Sequence, residues 1–121
     1  MSTEQNKEVI HRYFEAQNRH TPEDAFAFFS PGIVSHSVPG HDGDVGIDGI
    51  KAFFTTLHDA VPDMHVTPQD TIAEGDKVVV RFTITGTQTK EIMGQPGGQQ
   101  ISWNSLTIYR LEEGKIAEVW S

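Results

Sequence analysis

The chain has 121 residues, a formal net charge of −8 and no cysteine. This length suits one domain with one core, and an acidic chain without a basic stripe is a poor partner for nucleic acids or anionic membranes. The lack of cysteine excludes disulfides, thiolate nucleophiles and cysteine-ligated zinc. No apolar run approaches the roughly 20 residues that span a bilayer, and residues 1–10 show no signal-peptide pattern. We therefore expect a single cytoplasmic domain over residues 1–121.

Two helices are predicted from apolar residues at helical spacing. In residues 4–19, Tyr13 and Gln17 project to the same side as the apolar positions, which predicts that Tyr13 packs in the interior. Ile47–Ala60 has the clearest pattern, with apolar residues at i, i+3, i+4, i+7 and i+11, and it should cover a sheet. These positions are Ile50, Phe53, Phe54, Leu57 and Val61.

A short helix is predicted between these two. Thr21 suits the capping position, Pro22 the first helical position and Asp24 the capping-box position. We expect this helix to run to about Phe29 and to be ended by Ser30-Pro31-Gly32.

Residues 33–38 are predicted as a strand with His36 at its centre, and residues 39–46 as a glycine-rich acidic loop. His36, His41, Asp42 and Asp44 are metal-ligand types within a short window. Their irregular spacing favours a solvated turn over a metal site.

The second half of the chain has the two-residue periodicity of strands. Residues 64–73 form one strand, in which Pro68 indicates an edge or a bulge. Lys77–Gln88 form the next strand, with alternate apolar residues on one face. These are Val78, Val80, Phe82 and Ile84.

Residues 101–121 are predicted as a hairpin closed by the three-residue loop 112–114. This loop sets Thr107 opposite Val119 and Ser105 opposite Ser121. Trp103, Thr107 and Tyr109 then share the face that meets the helices. The opposite face carries an apolar patch that predicts a homodimer interface. The patch consists of Leu106, Ile108, Ile116 and Trp120.

Helices followed by antiparallel strands indicate an α+β fold, and a curved sheet against helices would enclose a pocket. Several short motifs, in this order and spacing, resemble the SnoaL-like polyketide and ester cyclases of the nuclear-transport-factor-two-like superfamily. These motifs are His36, Pro62-Asp63, Glu74-Gly75-Asp76-Lys77-Val78, Gly86-Thr87-Gln88-Thr89, Met93-Gly94-Gln95-Pro96, Gly98, Arg110 and Gly114-Lys115-Ile116-Ala117-Glu118-Val119-Trp120.

The resemblance implies a cone-shaped α+β fold in which a curved, mixed, mostly antiparallel sheet wraps around N-terminal helices over an apolar pocket. It also implies a homodimer formed through the sheet. Characterised members close rings in polyketide esters by aldol condensation without metal or cofactor. Their His on the third strand and Asp on the last strand correspond to Thr107 and Ser121 here, and a frequent His corresponds to Gln88.

We predict His36, Thr107 and Ser121 as catalytic residues, with His36 as the base because imidazole titrates near neutral pH. The predicted substrate-binding residues are Tyr13, Phe53, Phe82, Gln88, Trp103 and Tyr109. The predicted function is cofactor-free acid–base chemistry, an aldol cyclisation or isomerisation, on a small apolar carbonyl compound. Two alternatives are a non-catalytic binding protein, favoured by the hydroxyls at 107 and 121, and a structural dimerisation module.

Overall fold

Three helices precede the last four strands of a five-stranded sheet in the computed structural model, which describes residues 2–19, 21–36, 38, 41–92 and 94–121. The helices are α1 (Thr3–Gln17), α2 (Pro22–Phe26) and α3 (Ile47–Ala60). The strands are β1 (Phe29–Ser35), β2 (His65–Glu74), β3 (Lys77–Gln88), β4 (Gln99–Glu112) and β5 (Lys115–Trp120). None of the helices in the described part of the chain is long and apolar enough to cross a membrane.

The strands are ordered β1-β5-β4-β3-β2, and only the β1–β5 pair is parallel. The sheet is curved and open, and the helices pack on one face of it. The predicted α+β fold with a mixed, mostly antiparallel sheet is therefore confirmed. β3 and β4 pair along their whole length, from Lys77 opposite Arg110 to Gln88 opposite Gln99.

Helix α1 lies along the edge strand β2 and is fixed at both ends by side chains. A capping box between Ser2 and Gln5 begins the helix. The Asn6 amide donates to the Gly75 carbonyl (3.4 Å) at the β2–β3 turn. At the other end, Asn18 forms two hydrogen bonds with the backbone of Val66, at 2.9 and 2.7 Å. The helix therefore runs from the β2–β3 turn towards the far end of β2.

Alternation in β3 agrees with the prediction. Val78 and Val80 are completely buried in the core, and Phe82 is 8% exposed. The ladder between β2 and β3 is irregular at Pro68, as expected for proline in an edge strand. Helix α3 has the predicted bounds, from Ile47 to Ala60.

The prediction for the second helix was wrong at its end. Helix α2 stops at Phe26, and residues 30–32 lie in β1 instead of ending the helix. Thr21 makes no side-chain capping bond, so the predicted capping box with Asp24 is absent. β1 accepts Pro31 because it is an edge strand whose pairing with β5 is irregular between Phe29 and Val34.

The predicted hairpin loop was also wrong, by one residue. Glu113 and Gly114 both have positive φ (52° and 79°) and form a two-residue turn, so Glu112 pairs with Lys115. A bulge then shifts the register, and Tyr109 pairs with Val119. Between the turn and the bulge, the residues of β5 therefore face the opposite side of the sheet from the one predicted. Ile116 therefore points into the core with no exposed surface and is not part of the outer patch.

Candidate functional site

A cavity of about 360 Å³ lies between the helices and the inner face of the sheet. Its wall is mainly aromatic and aliphatic. The aromatic residues on it include Phe29, Phe53, Phe54, Phe82 and Trp103, with Tyr13 and Tyr109. Helix α3 contributes Ile50, Phe53, Phe54 and Leu57, the same residues whose spacing predicted its apolar face. An apolar cavity of this size suits a small organic ligand of two or three fused rings.

Two tyrosines connect helix α1 with the centre of the sheet at one end of this cavity. The rings of Tyr13 and Tyr109 lie edge to face with centroids 5.9 Å apart, and Phe14 packs against Phe82 at 5.2 Å. Tyr13 and Tyr109 are 3% and 4% exposed. Burial raises the pKa of both phenols, and the neighbouring Tyr109 adds to the effect on Tyr13. Both phenols are therefore protonated donors at neutral pH.

Three hydroxyls form a connected chain on the sheet side of the cavity. The Thr107 hydroxyl donates towards the Tyr109 phenol oxygen, which opposes the effect of burial on the Tyr109 pKa. The Oγ1 atom of Thr107 lies 3.1 Å from the Oγ atom of Ser121. Thr107 is 2% exposed. We call Tyr109, Thr107 and Ser121 the hydroxyl chain. The bulge in β5 creates it, because the shifted register brings Ser121 opposite Thr107.

No carboxylate, imidazole or amine belongs to the cavity wall among the described residues. The ionisable groups found there, Tyr13 and Tyr109, have raised pKa values and do not act as bases near pH 7. The arrangement can donate hydrogen bonds to a ligand oxygen, but it offers no group to remove a proton from carbon.

His36 lies on the opposite face of the sheet from the cavity. Its Nε2 is 2.6 Å from Glu118 Oε2 and its Nδ1 is 2.7 Å from Asp44 Oδ1. Its ring stacks on Trp120 at 5.3 Å. These bonds, first the one to Glu118, raise the pKa of His36 and favour the imidazolium, in which both nitrogens donate. Although the β1 segment lines the cavity through Ser35, His36 itself does not.

A profile of the family described as SnoaL-like polyketide cyclase matches residues 7–121. The chain belongs to this family. No curated protein matches it. Among solved structures, it is similar to AclR, a candidate hydroxylase from Streptomyces galilaeus, at 31% identity with a TM-score of 0.87. The match covers 98% of this chain and 74% of that one.

Two further structures support the membership. One is IdmH, a candidate polyketide cyclase from Streptomyces antibioticus, at 27% identity, with coverage of 95% and 88% and a TM-score of 0.80. The other is TsrD from Streptomyces laurentii, at 26% identity, with coverage of 99% and 88% and a TM-score of 0.83.

Seven of the nine predicted site residues lie on the cavity wall of this SnoaL-like domain. They are Tyr13, Phe53, Phe82, Trp103, Thr107, Tyr109 and Ser121. The other two, His36 and Gln88, do not. Gln88 is buried, and its Nε2 donates to the carbonyls of Lys90 (2.9 Å) and Gln95 (2.8 Å), so it holds the β3–β4 connection in place.

Two buried polar residues of the cavity wall were missed by the sequence analysis. Gln17 is 5% exposed and Ser35 is 7% exposed, and both line the cavity. The signal for Gln17 was present, because it follows Tyr13 by four residues on the apolar side of α1. A polar residue on such a side indicates either a structural hydrogen bond or a ligand contact.

His36 and Asp44 meet, as two of the four metal-ligand types in the window of residues 36–44. His41 and Asp42 do not join them, and in the described ranges no group of three or more His, Asp or Glu side chains is arranged so that it could hold a metal ion. Asp63 accepts a hydrogen bond from the Thr87 backbone amide (2.7 Å).

Proposed function

We propose that this SnoaL-like protein promotes ring closure in a small apolar carbonyl compound by donating hydrogen bonds to the reacting carbonyl. Family membership supports the cyclase-like role. The observation that carries the finer proposal is the hydroxyl chain at the wall of an otherwise apolar cavity. Donors fixed in an apolar site stabilise developing negative charge on oxygen more strongly than water does, because they need no reorganisation.

The hydrogen bonds of the hydroxyl chain can all be donated in the same direction. When the Ser121 hydroxyl donates to Thr107, Thr107 donates to the Tyr109 oxygen and the Tyr109 phenol is left to donate to a ligand. Each donation polarises the next hydroxyl, so the last proton is the most acidic of the three. The proposed role of Ser121 and Thr107 is therefore to position and polarise the Tyr109 phenol, which touches the substrate oxygen.

The proton balance of an aldol closure limits the substrate. A carbon–carbon bond forms between the enolate carbon and the carbonyl carbon, the new alkoxide takes a proton from the Tyr109 phenol, and the phenol regains a proton from water. To form the enolate, its carbon must first lose a proton, and the cavity wall supplies no base to remove it. We assign this proton to water, which requires an acidic carbon such as one between two carbonyl groups.

The test is turnover of an aromatic ester that carries a 1,3-dicarbonyl side chain, followed by mass spectrometry. An isomeric cyclic product supports the proposal. A product that has gained one oxygen atom would instead indicate hydroxylation, the activity named for AclR. The rate should be flat between about pH 6 and 9, because no cavity group titrates there. A rate that rises through the raised pKa of His36 would restore the prediction that His36 is the base.

A non-catalytic ligand-binding protein is the second candidate function. The lack of a titratable base on the cavity wall favours it. Binding of the same ester can be measured as quenching of Trp103 fluorescence. Tight binding without any product would favour the non-catalytic binding protein over the cyclase.

A homodimer through the outer face of the sheet is part of the proposal. An apolar row runs across strands β2 to β5, in which each residue pairs with the next. It consists of Ile72, Val79, Ile108 and Trp120. Ile72 is 66% exposed, and Leu106, beside this row, is 60% exposed. Exposed apolar surface of this kind supports an interface with a second copy, as does the resemblance described above.

A further inference from the structure

The amide of Gln17 is a polar group of the cavity wall that neither the described hydrogen bonds of the fold nor the proposed ring closure uses. Gln17 ends helix α1 and is 95% buried, since only 5% of its surface is exposed. Its side chain makes no hydrogen bond with any other described residue, whereas the neighbouring Asn18 makes two. This amide lines the cavity without a hydrogen-bond partner among the described residues, so it is available to a ligand.

The position of Gln17 follows from the direction of helix α1. The helix ends near Val66, which pairs with Ile84, and Ile84 pairs with Trp103. Tyr13 contacts Tyr109, and Gln17 lies one turn further towards the Trp103 end of β4. Thr107 also lies beyond Tyr109 in this direction. Gln17 therefore lines the helix side of the cavity, and the hydroxyl chain lines the sheet side.

We infer that Gln17 is a specificity-determining residue that binds a second oxygen of the ligand, on the edge opposite the oxygen bound by the hydroxyl chain. This inference rests on the proposed function for the identity of the first oxygen. An amide both donates and accepts, so it suits a hydroxyl or a carbonyl. No cationic side chain belongs to the described cavity wall, so the ligand is neutral. The ligand class is a neutral apolar ring system with oxygen functions on two opposite edges.

The test measures binding of three probes by calorimetry and needs no turnover. The probes are 2,6-dihydroxynaphthalene, with an oxygen at each end, 2-naphthol, with one oxygen, and 6-hydroxy-2-naphthoic acid, which is anionic at pH 7. The wild type should bind the diol about 2- to 10-fold more tightly than 2-naphthol, the value of one net hydrogen bond. The naphthoate should bind most weakly, because no cation compensates its buried charge.

Gln17→Met keeps the length of the side chain and removes its hydrogen bonds. This variant should lose the preference for the diol and keep the affinity for 2-naphthol within about 2-fold. Its Tm without ligand should be no lower than that of the wild type, because an unpartnered amide is removed. Gln69→Met, at an exposed position in the β2 bulge, is the matched control and should keep the preference.

Equal loss of affinity for both phenols, or a wild type without preference for the diol, would overturn the inference. If Gln17→Met fails to fold, the NMR signal of the Gln17 side-chain amide in the wild type provides the test. It should shift on titration with the diol and not with 2-naphthol. Failure of the proposed ring closure would appear as absent turnover and leave these binding results unchanged.

Discussion

The two faces of the sheet at β4 and β5 differ in a way that decides where chemistry can occur. The inner face carries an apolar cavity and the hydroxyl chain, without a described carboxylate or imidazole. On the outer face, Glu118 bridges His36 and Arg110, with its Oε1 2.9 Å from Arg110 Nε. The titratable groups that residue type alone would select as catalysts therefore stabilise the outer face of the sheet.

The largest expected effect concerns packing on the two faces. Phe82→Ala should lower the free energy of unfolding by about 3 kcal/mol, because it removes a ring that packs on Phe14 and enlarges the cavity. Leu106→Ala, on the exposed outer face, should change the free energy of unfolding by less than about 0.5 kcal/mol. This value applies at a protein concentration low enough for the protein to be monomeric. Chemical denaturation measures both values. Similar losses from the two variants would contradict the assignment of inner and outer faces.

The second effect concerns the hydroxyl chain. Thr107→Val removes the central hydroxyl and should lower kcat by about two orders of magnitude, since it disconnects Ser121 from Tyr109. Thr107→Ser keeps a hydroxyl and should retain most of the rate. Steady-state kinetics of the two variants checks this, and an equal loss in both would point to packing at position 107 instead of hydrogen bonding.

The third effect concerns assembly. Trp120→Glu should convert a dimer into a species of 13.4 kDa, because it would bury an unpaired carboxylate in the interface. Thr56→Glu introduces the same charge at an exposed position of α3 and should leave the dimer intact. Sedimentation at micromolar concentration distinguishes the two. A monomeric wild type would remove the basis for the interface.

The smallest effect is the dependence of stability on pH at His36. Its pKa is raised above 6.5, chiefly by Glu118, so its contribution is complete below about pH 6.5 and is lost as the pH rises through the raised value. The pKa of Glu118 is lowered below 4.5, chiefly by His36, so its contribution is complete above about pH 4.5 and is lost as the pH falls through the lowered value.

His36→Gln should therefore lower Tm most between about pH 4.5 and 6.5 and least in alkaline solution. Its turnover should match that of the wild type. Melting curves at pH 5.5 and 9, with one rate measurement, check both statements. An equal loss of Tm at both pH values would show that the ring stabilises by stacking on Trp120 instead of by charge.

Periodicity in the sequence was sufficient for the α+β order, the bounds of α3 and β3, and the inward face of Lys77–Gln88, because these features depend on local spacing alone. The predicted aromatic binding residues, Tyr13, Phe53, Phe82, Trp103 and Tyr109, all lie on the cavity wall, whereas Phe29 and Phe54 of that wall were not among them. Periodicity could not predict the β4–β5 register, because a bulge and a two-residue turn with Glu113 at positive φ have no strong local signal in the sequence. Only the tertiary structure decided that Ile116 is buried, that Ser121 meets Thr107, and that His36 faces Glu118 instead of the cavity. These outcomes depend on pairing between distant strands, and one residue of register exchanges the two faces of a strand.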